Sequence, residues 1–326
     1  MTRLVDWREL GADRIVPLYA EQAAVWSGSL GWDLTRSWAV VERARAAGAL
    51  PGLVSVNDRG AILGWTFFMR HQEVVQIGAL AGRGAGPVRD LLEGILNAPE
   101  SAGARELTCL LYPASPTALS ALTRRRFELQ PLYYFSRAVA TEEDAPAVLP
   151  AELSLRRWMP ADTVPCVRVL AAAYGRHRAG RGLAPNGTLE EWAYYLGQVL
   201  HSPACGQHLP RASFVVEERS TGMAVGCLLA TTIGPDTVHV AQLAVVPQWG
   251  RRGVGRALLR AGARAASLER AARVTLLVSA ENGDALKLYA GEGFAQTGQF
   301  TFASRPMPVR RQVGRRPPPA ATTAAA

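Results

Sequence analysis

An apolar stretch at residues 240–246 runs into Pro247 and then through Gln248, Trp249, Gly250, Arg251, Arg252, Gly253, Val254, Gly255 and Arg256. Ala257, Leu258 and Leu259 then begin a helical pattern. A strand, a loop rich in glycine and arginine, and a helix in that order constrain this chain more than any other feature. The first N–H groups of a helix have no acceptor within it, and the positive end of its dipole sits there. Glycines let a ligand approach such a backbone closely, and the arginines add charge. The ligand suited to this loop is a phosphate or diphosphate. Two familiar phosphate loops are excluded by the residues present. A P-loop needs Lys and Ser/Thr after its last glycine, where this chain has Arg256 and Ala257; a dinucleotide fingerprint needs a third glycine where Leu258 stands.

The segment resembles the acetyl-CoA signature of the Gcn5-related N-acetyltransferase (GNAT) superfamily. Val245 and Pro247 fill its Val-x-Pro lead-in and Gly253 and Gly255 its glycines, while its Arg/Gln slot falls on Gly250. The resemblance implies acetyl-CoA as co-substrate. Its pyrophosphate would rest on the backbone N–H groups of Arg251, Arg252, Gly253, Val254, Gly255 and Arg256, and its pantetheine arm beside Leu243, Ala244 and Val245. A second element follows a short apolar strand at residues 274–278. Asn282, Ala285, Leu288, Tyr289, Gly293 and Phe294 fill every named position of the superfamily's closing pattern, Asn-x-x-Ala-x-x-Leu-Tyr-x-x-x-Gly-Phe. In that family the Asn, here Asn282, contacts the pantetheine, and the Tyr, here Tyr289, protonates the departing thiolate. A phenol with a reference pKa near ~10 suits that task. Some members place a Glu or His as general base where His239 stands, six residues before Val245 on the strand before the loop. An imidazole, titrating near ~6.5, can serve as base at neutral pH. A water chain, or a strand histidine with no role, are the alternatives.

The two halves of the chain overlay. The spacing from Pro17 to Trp26 equals that from Pro165 to Tyr174, and a strand–turn–strand unit follows in each half. The first half's unit is 52–56, a turn at 57–60, and 61–69; the second half's is 214–216, a turn at 217–222, and 223–231. Near the ends, Ser115, Ala118, Leu122 and Phe127 overlay Asn282, Ala285, Tyr289 and Phe294. A repeat of this period is a duplicated domain. The first copy lacks the chemistry, with Leu122 in place of Tyr289 and Pro87 removing an N–H from its loop. Tandem pairs with a weaker first domain are known in the superfamily. The expectation is α/β (α+β), with two tandem GNAT-like domains, each a mixed, mostly antiparallel twisted sheet flanked by helices. Residues 1–140 form a degenerate domain, 141–151 a linker, 152–305 the catalytic domain and 306–326 a disordered basic tail.

Acceptor specificity in the family comes from the first two helices and their loop. Thr188 and Glu191 form a capping box opening a helix with Trp192, Tyr195, Leu196 and Val199 on one face. Tyr174, Trp192 and Tyr195 are tentative walls of an acceptor cleft, against the competing reading of an aromatic core stripe. The loop at 175–187 is read as mobile. His201, Cys205 and His208 are spaced like part of a zinc site, but Pro203 and Gly206 break any helix and no fourth ligand is near, so no metal is assigned.

Net charge is +9, with Arg305, Arg310, Arg311, Arg315 and Arg316 gathered near the end. This tail is read as a solvated terminus rather than a nucleic-acid arm. No apolar run reaches the ~18 residues of a membrane span, the start has no signal-like core, and the four cysteines lack paired spacing. A reduced, cytoplasmic protein follows from these features. The expected function is N-acetylation of a primary amine on a small molecule or peptide. A non-catalytic acyl-CoA-binding pseudoenzyme or sensor is the alternative.

Overall fold

The computed structural model describes residues 2–139, 148–175, 180 and 182–307. Its first half comprises β1 (Thr2–Asp6), α1 (Ala12–Leu30), α2 (Thr35–Ala46), β2 (Gly52–Asn57), β3 (Ile62–His71), β4 (Val74–Gly82), α3 (Ala85–Asn97), β5 (Glu106–Leu111), α4 (Pro116–Arg124) and β6 (Glu128–Ala138). The second comprises β7 (Leu153–Arg157), α5 (Thr163–Tyr174), α6 (Leu189–His201), β8 (Gln207–His208), β9 (Phe214–Glu218), β10 (Ala224–Gly234), β11 (Thr237–Val245), α7 (Val254–Leu268), β12 (Arg273–Ser279), α8 (Gly283–Gly291) and β13 (Ala295–Pro306).

Local chemistry accounts for many of these boundaries. In the β2–β3 hairpin, Asn57 Oδ1 accepts the N–H groups of Arg59 and Ala61, fixing the turn expected at 57–60. Thr188 and Glu191 close the capping box that starts α6. The Pro- and Arg-rich tail starts later than its composition suggested. Pro306 still pairs with Glu106, and the Met307 N–H donates to the Arg105 carbonyl. Residues 308–326, most of the linker and part of the 175–187 loop lie outside the described residues.

The strands form one thirteen-stranded sheet in the order β1-β2-β3-β4-β5-β13-β6-β12-β11-β10-β9-β7, with β8 beside β10. Only β4–β5 and β11–β12 are parallel; the other pairings are antiparallel. This order reads the same from either end once equivalent strands of the two halves are exchanged. Its centre is the β6–β13 pair. There β6, the last strand of the first half, pairs with β12, and β13, the last strand of the second, pairs with β5. Each half's sheet is therefore completed by the other half's final strand.

In the second half α7 and α8 cover one face, over Val240, Leu258, Leu259, Leu276 and Phe294. Helices α5 and α6 cover the other, over Cys166, Leu170, Trp192, Leu196, Cys227 and Leu229. The first half repeats this, with α3 and α4 over Ile77 and Leu107 and α1 with Trp7, Val54 and Phe67 on the opposite face. A fifth apolar cluster, with Leu30, Trp32, Tyr134, Ile233 and Phe300, joins the halves.

Candidate active site

Parallel pairing between β11 and β12 covers only residues 237–240 with 273–276. A bulge then interrupts β11 against β10, so that Leu229 faces Gln242 and Ala230 faces Val240, leaving Ala241 as the extra residue. Beyond it the pairing with β12 ends and β11 runs on through Ala241, Gln242, Leu243, Ala244 and Val245, with no strand on that edge among the described residues. The result is a notch through the sheet. Its open edge is a row of backbone groups to which an extended ligand can bond as a strand would.

At the mouth of the notch Pro247–Trp249 form a single 3₁₀ turn, after which the backbone enters the left-handed region at Arg251 (φ 62°) and Gly253 (φ 82°). Such a conformation costs a non-glycine residue about 1–2 kcal/mol, so its presence at Arg251 marks a loop held in shape by its surroundings. Among the described residues, the N–H groups of Arg251, Arg252, Gly253, Val254, Gly255 and Arg256 meet no acceptor. Those of Trp249 and Gly250 bond back to Val246 and Pro247, and that of Ala257 bonds to Gly253. Gly253 is the N-cap of α7 and offers no side chain to satisfy the first turn. The N–H groups fit a diphosphate there. The arginine side chains are engaged elsewhere. Arg251 pairs with Asp284 at 2.7 Å, Arg252 lies over the Trp249 ring, and Arg256 and Arg260 hold Glu292 at 2.8 and 2.7 Å. The Glu292 side chain is only 2% exposed, so this cluster ties α7 to the end of α8.

Tyr289 on α8 is buried against Phe135 and Phe294. Burial raises its pKa, and the nearby Tyr174 raises it further, so its phenol keeps its proton throughout the physiological range. Asn282 caps α8, its Oδ1 accepting the Ala285 N–H at 3.2 Å. From the opposite face, Tyr174 donates to Gln242 Oε1 at 3.0 Å, and Gln242 Nε2 donates to the Tyr195 hydroxyl at 2.7 Å. Burial pushes the Tyr174 pKa up to about 12 and raises that of Tyr195 as well. Trp192 is wholly buried, stacked on Tyr174 and edge-on to Tyr195, so it is core and cannot wall a cleft as the sequence reading allowed. Tyr174 and Tyr195 are half-buried and joined through Gln242 of β11, a residue not singled out from the sequence.

His239 is not brought into the notch. It sits in the closed part of the ladder, bonded to Thr275 Oγ1 at 3.0 Å and covered by Trp32. Burial pushes its pKa down to about 4, which makes it a poor base. The assignment failed because the bulge falls between His239 and the open edge. A separate cavity of about 510 Å³ lies where the halves meet, lined by Asp33, Arg36, His201, Gln207 and His208 among others. Among the described residues no three His, Cys, Asp or Glu side chains are grouped to hold a metal.

Residues 183–294 match the acetyltransferase (GNAT) family model. A mycothiol acetyltransferase of Kineococcus radiotolerans is 31% identical over 212 residues, 64% of this chain; the match spans 65% of that protein, just under two thirds of its length. A GCN5-related N-acetyltransferase from Sphaerobacter thermophilus shares the fold at TM-score 0.64 and 17% identity, over 93% of this chain and 95% of its own. So does a tandem GNAT protein from the clavulanic acid biosynthesis pathway, at TM-score 0.61 and 15% identity, over 94% and 98%. The open notch and the unpartnered loop accord with these likenesses: residues 183–294 match the GNAT acetyltransferase family, and the chain has a tandem GNAT fold.

Proposed function

We propose that this protein is an acetyl-CoA-dependent N-acetyltransferase whose reaction runs in the notch of the second half, by direct attack of a primary amine on the thioester. The observation that carries the reading is the run of unpartnered N–H groups at 251–256, at the end of an open strand edge with a buried, protonated Tyr289 on its other wall. The loop N–H groups would hold the pyrophosphate and the 241–245 edge the pantetheine amides, with Asn282 beside them. When bound, acetyl-CoA supplies an activated acyl group. The amine nitrogen bonds to the carbonyl carbon, the carbon–sulfur bond breaks, and Tyr289 gives its proton to the sulfur. The proton released by the amine returns to solvent, from which Tyr289 is reprotonated. With His239 remote from the notch, the amine enters neutral or loses its proton to water.

In this reading residues 141–151 link the two domains, residues 1–140 contribute structure and acceptor access, and each half lends its final strand to the other's sheet. We take the setting to be reducing and cytoplasmic, which the four free cysteines, three of them buried, fit. The test is calorimetric titration with acetyl-CoA, followed by a free-CoA assay against small amines, amino sugars, peptides and the acceptor of the mycothiol acetyltransferase relative. Acetyl-CoA binding with amine-dependent CoA release is expected. Absence of binding overturns the site; binding without release to any acceptor turns the protein into an acyl-CoA sensor.

A further inference from the structure

Gln242 stands on the open edge of β11 beside the bulge and links two phenols that come from different helices. Tyr174 closes α5, and Tyr195 lies in the middle of α6. The bonds among them run in one direction, from Gln242 to Tyr195 and from Tyr174 to Gln242. The Tyr195 hydroxyl points to the Ala241 carbonyl at 3.5 Å, and a carbonyl can only accept. With its hydrogen turned there, the Tyr195 oxygen accepts from Gln242 Nε2. The amide oxygen is thereby presented to Tyr174, which donates to it. The hydrogen of Tyr174 is thus held away from the notch, and only lone pairs of its oxygen remain for a ligand. Tyr289 comes from the opposite face of the sheet, in the cluster under α7 and α8, and Tyr174 from the cluster under α5 and α6.

We infer that Gln242 is a positioning residue for the nucleophile: it makes Tyr174 a fixed hydrogen-bond acceptor for an N–H of the incoming amine, which turns the nitrogen lone pair toward the thioester carbon. The inference rests on the acetyl-transfer reading above and adds to it the group that orients the acceptor. Two phenols then divide the work within one notch. Tyr289 donates to the leaving sulfur, and Tyr174, by virtue of Gln242, accepts from the attacking nitrogen.

The test is a double-mutant cycle read on kcat/KM for an accepted amine, with acetyl-CoA affinity measured by calorimetry alongside. Gln242→Met keeps the length of the side chain but removes both partners, freeing Tyr174 to turn its hydrogen into the notch. We expect kcat/KM for the amine to fall by about 10²-fold, the scale of a misplaced reactant, with acetyl-CoA affinity essentially unchanged. Tyr174→Phe should lose as much, and the pair together no more than Tyr174→Phe alone. Gln242→Glu, which keeps an oxygen for the Tyr174 hydrogen, should recover most of the loss. Additive losses, a wild-type rate in Tyr174→Phe, or no recovery in Gln242→Glu would overturn the inference while leaving acetyl transfer standing. A wild-type protein inert toward every amine overturns both. Tyr174→Phe keeps the ring packed on Trp192, so the test survives should Gln242→Met fold poorly.

Discussion

In the first half, residues 74–77 of β4 pair in parallel with 106–109 of β5, a bulge follows at Gly78, and the strands part, just as β11 and β12 do in the second. Helix α4 is capped by Ser115 as α8 is by Asn282, each accepting the N–H of the alanine three residues on. Yet one notch is closed and the other open. Between β4 and α3 stand only Arg83 and Gly84, so α3 starts at once, Val88 lies against Gly82, and α3 packs directly on α4. Leu122, fully buried where Tyr289 stands in the other copy, fills the gap with hydrocarbon. Between β11 and α7 the chain inserts residues 246–253. Helices α7 and α8 do not pack closely along one another, and the link between them is polar, through Glu292. The fold supplies the notch in both copies. The length of one connection is what separates the two copies.

Substitutions at matched positions can break this comparison, and the largest effect belongs to the phenol. Tyr289→Phe should lower kcat by roughly 10²–10⁴-fold with acetyl-CoA affinity retained, the usual worth of a general acid. Leu122→Tyr in the closed notch should add no activity. An unchanged chemical step in Tyr289→Phe would remove the main functional difference between the copies. Next comes the polar link. Glu292→Ala leaves two arginines facing an empty, buried site and should cost about 3 kcal/mol in urea unfolding. The matching tie in the first half, Glu93 with Arg125, is more exposed, and Glu93→Ala should cost less than about 1 kcal/mol. Equal costs would show that the two helix pairs are held alike.

The loop is tested by charge. Gly253→Asp sets a carboxylate beside the free N–H groups at the start of α7, where it competes with a phosphate for them. Acetyl-CoA should bind about 10²-fold more weakly by calorimetry, while Gly84→Asp at the start of α3 leaves binding intact. Equal affinity in both variants would move the pyrophosphate elsewhere. The smallest effect concerns pH. His239 is buried neutral with its pKa pushed down to about 4, below the ~6.5 of an unfolded chain, so the unfolded state takes up a proton first as pH falls. Its share of stability is complete above pH ~6.5 and lost progressively toward pH ~4. Gln76 holds the matching place in the first half, facing Thr108 as His239 faces Thr275. His239→Gln should flatten the acid side of the melting curve and leave kcat at neutral pH within a few-fold. A large fall in kcat would restore the base role.

Much of this could be read from the chain because it is written in short segments. The loop at 247–255 and the 282–294 pattern depend on local backbone, and the matched spacings of the halves carried the tandem fold. What could not be read depends on distant partners. Strands β6 and β13 look alike by alternation, and nothing in either says which neighbour it will take. The role of Gln242 exists only once α5 and α6 bring tyrosines to it. His239 was misjudged because a single bulged residue separates the closed ladder from the open edge, and a bulge leaves no distinct mark in a run of valines and alanines.

The exchange of final strands gives this protein a particular history in time. The place beside β5 is kept for β13, whose residues are made roughly 190 positions later. At about 5–20 residues per second that is some 10–40 s of synthesis. Through that interval the first half has its helices and most of its core but carries a bare strand edge, the kind of surface on which unfinished chains aggregate. A ribosome that stops within the second half therefore releases no spare, self-contained domain. It releases a sheet with its middle missing.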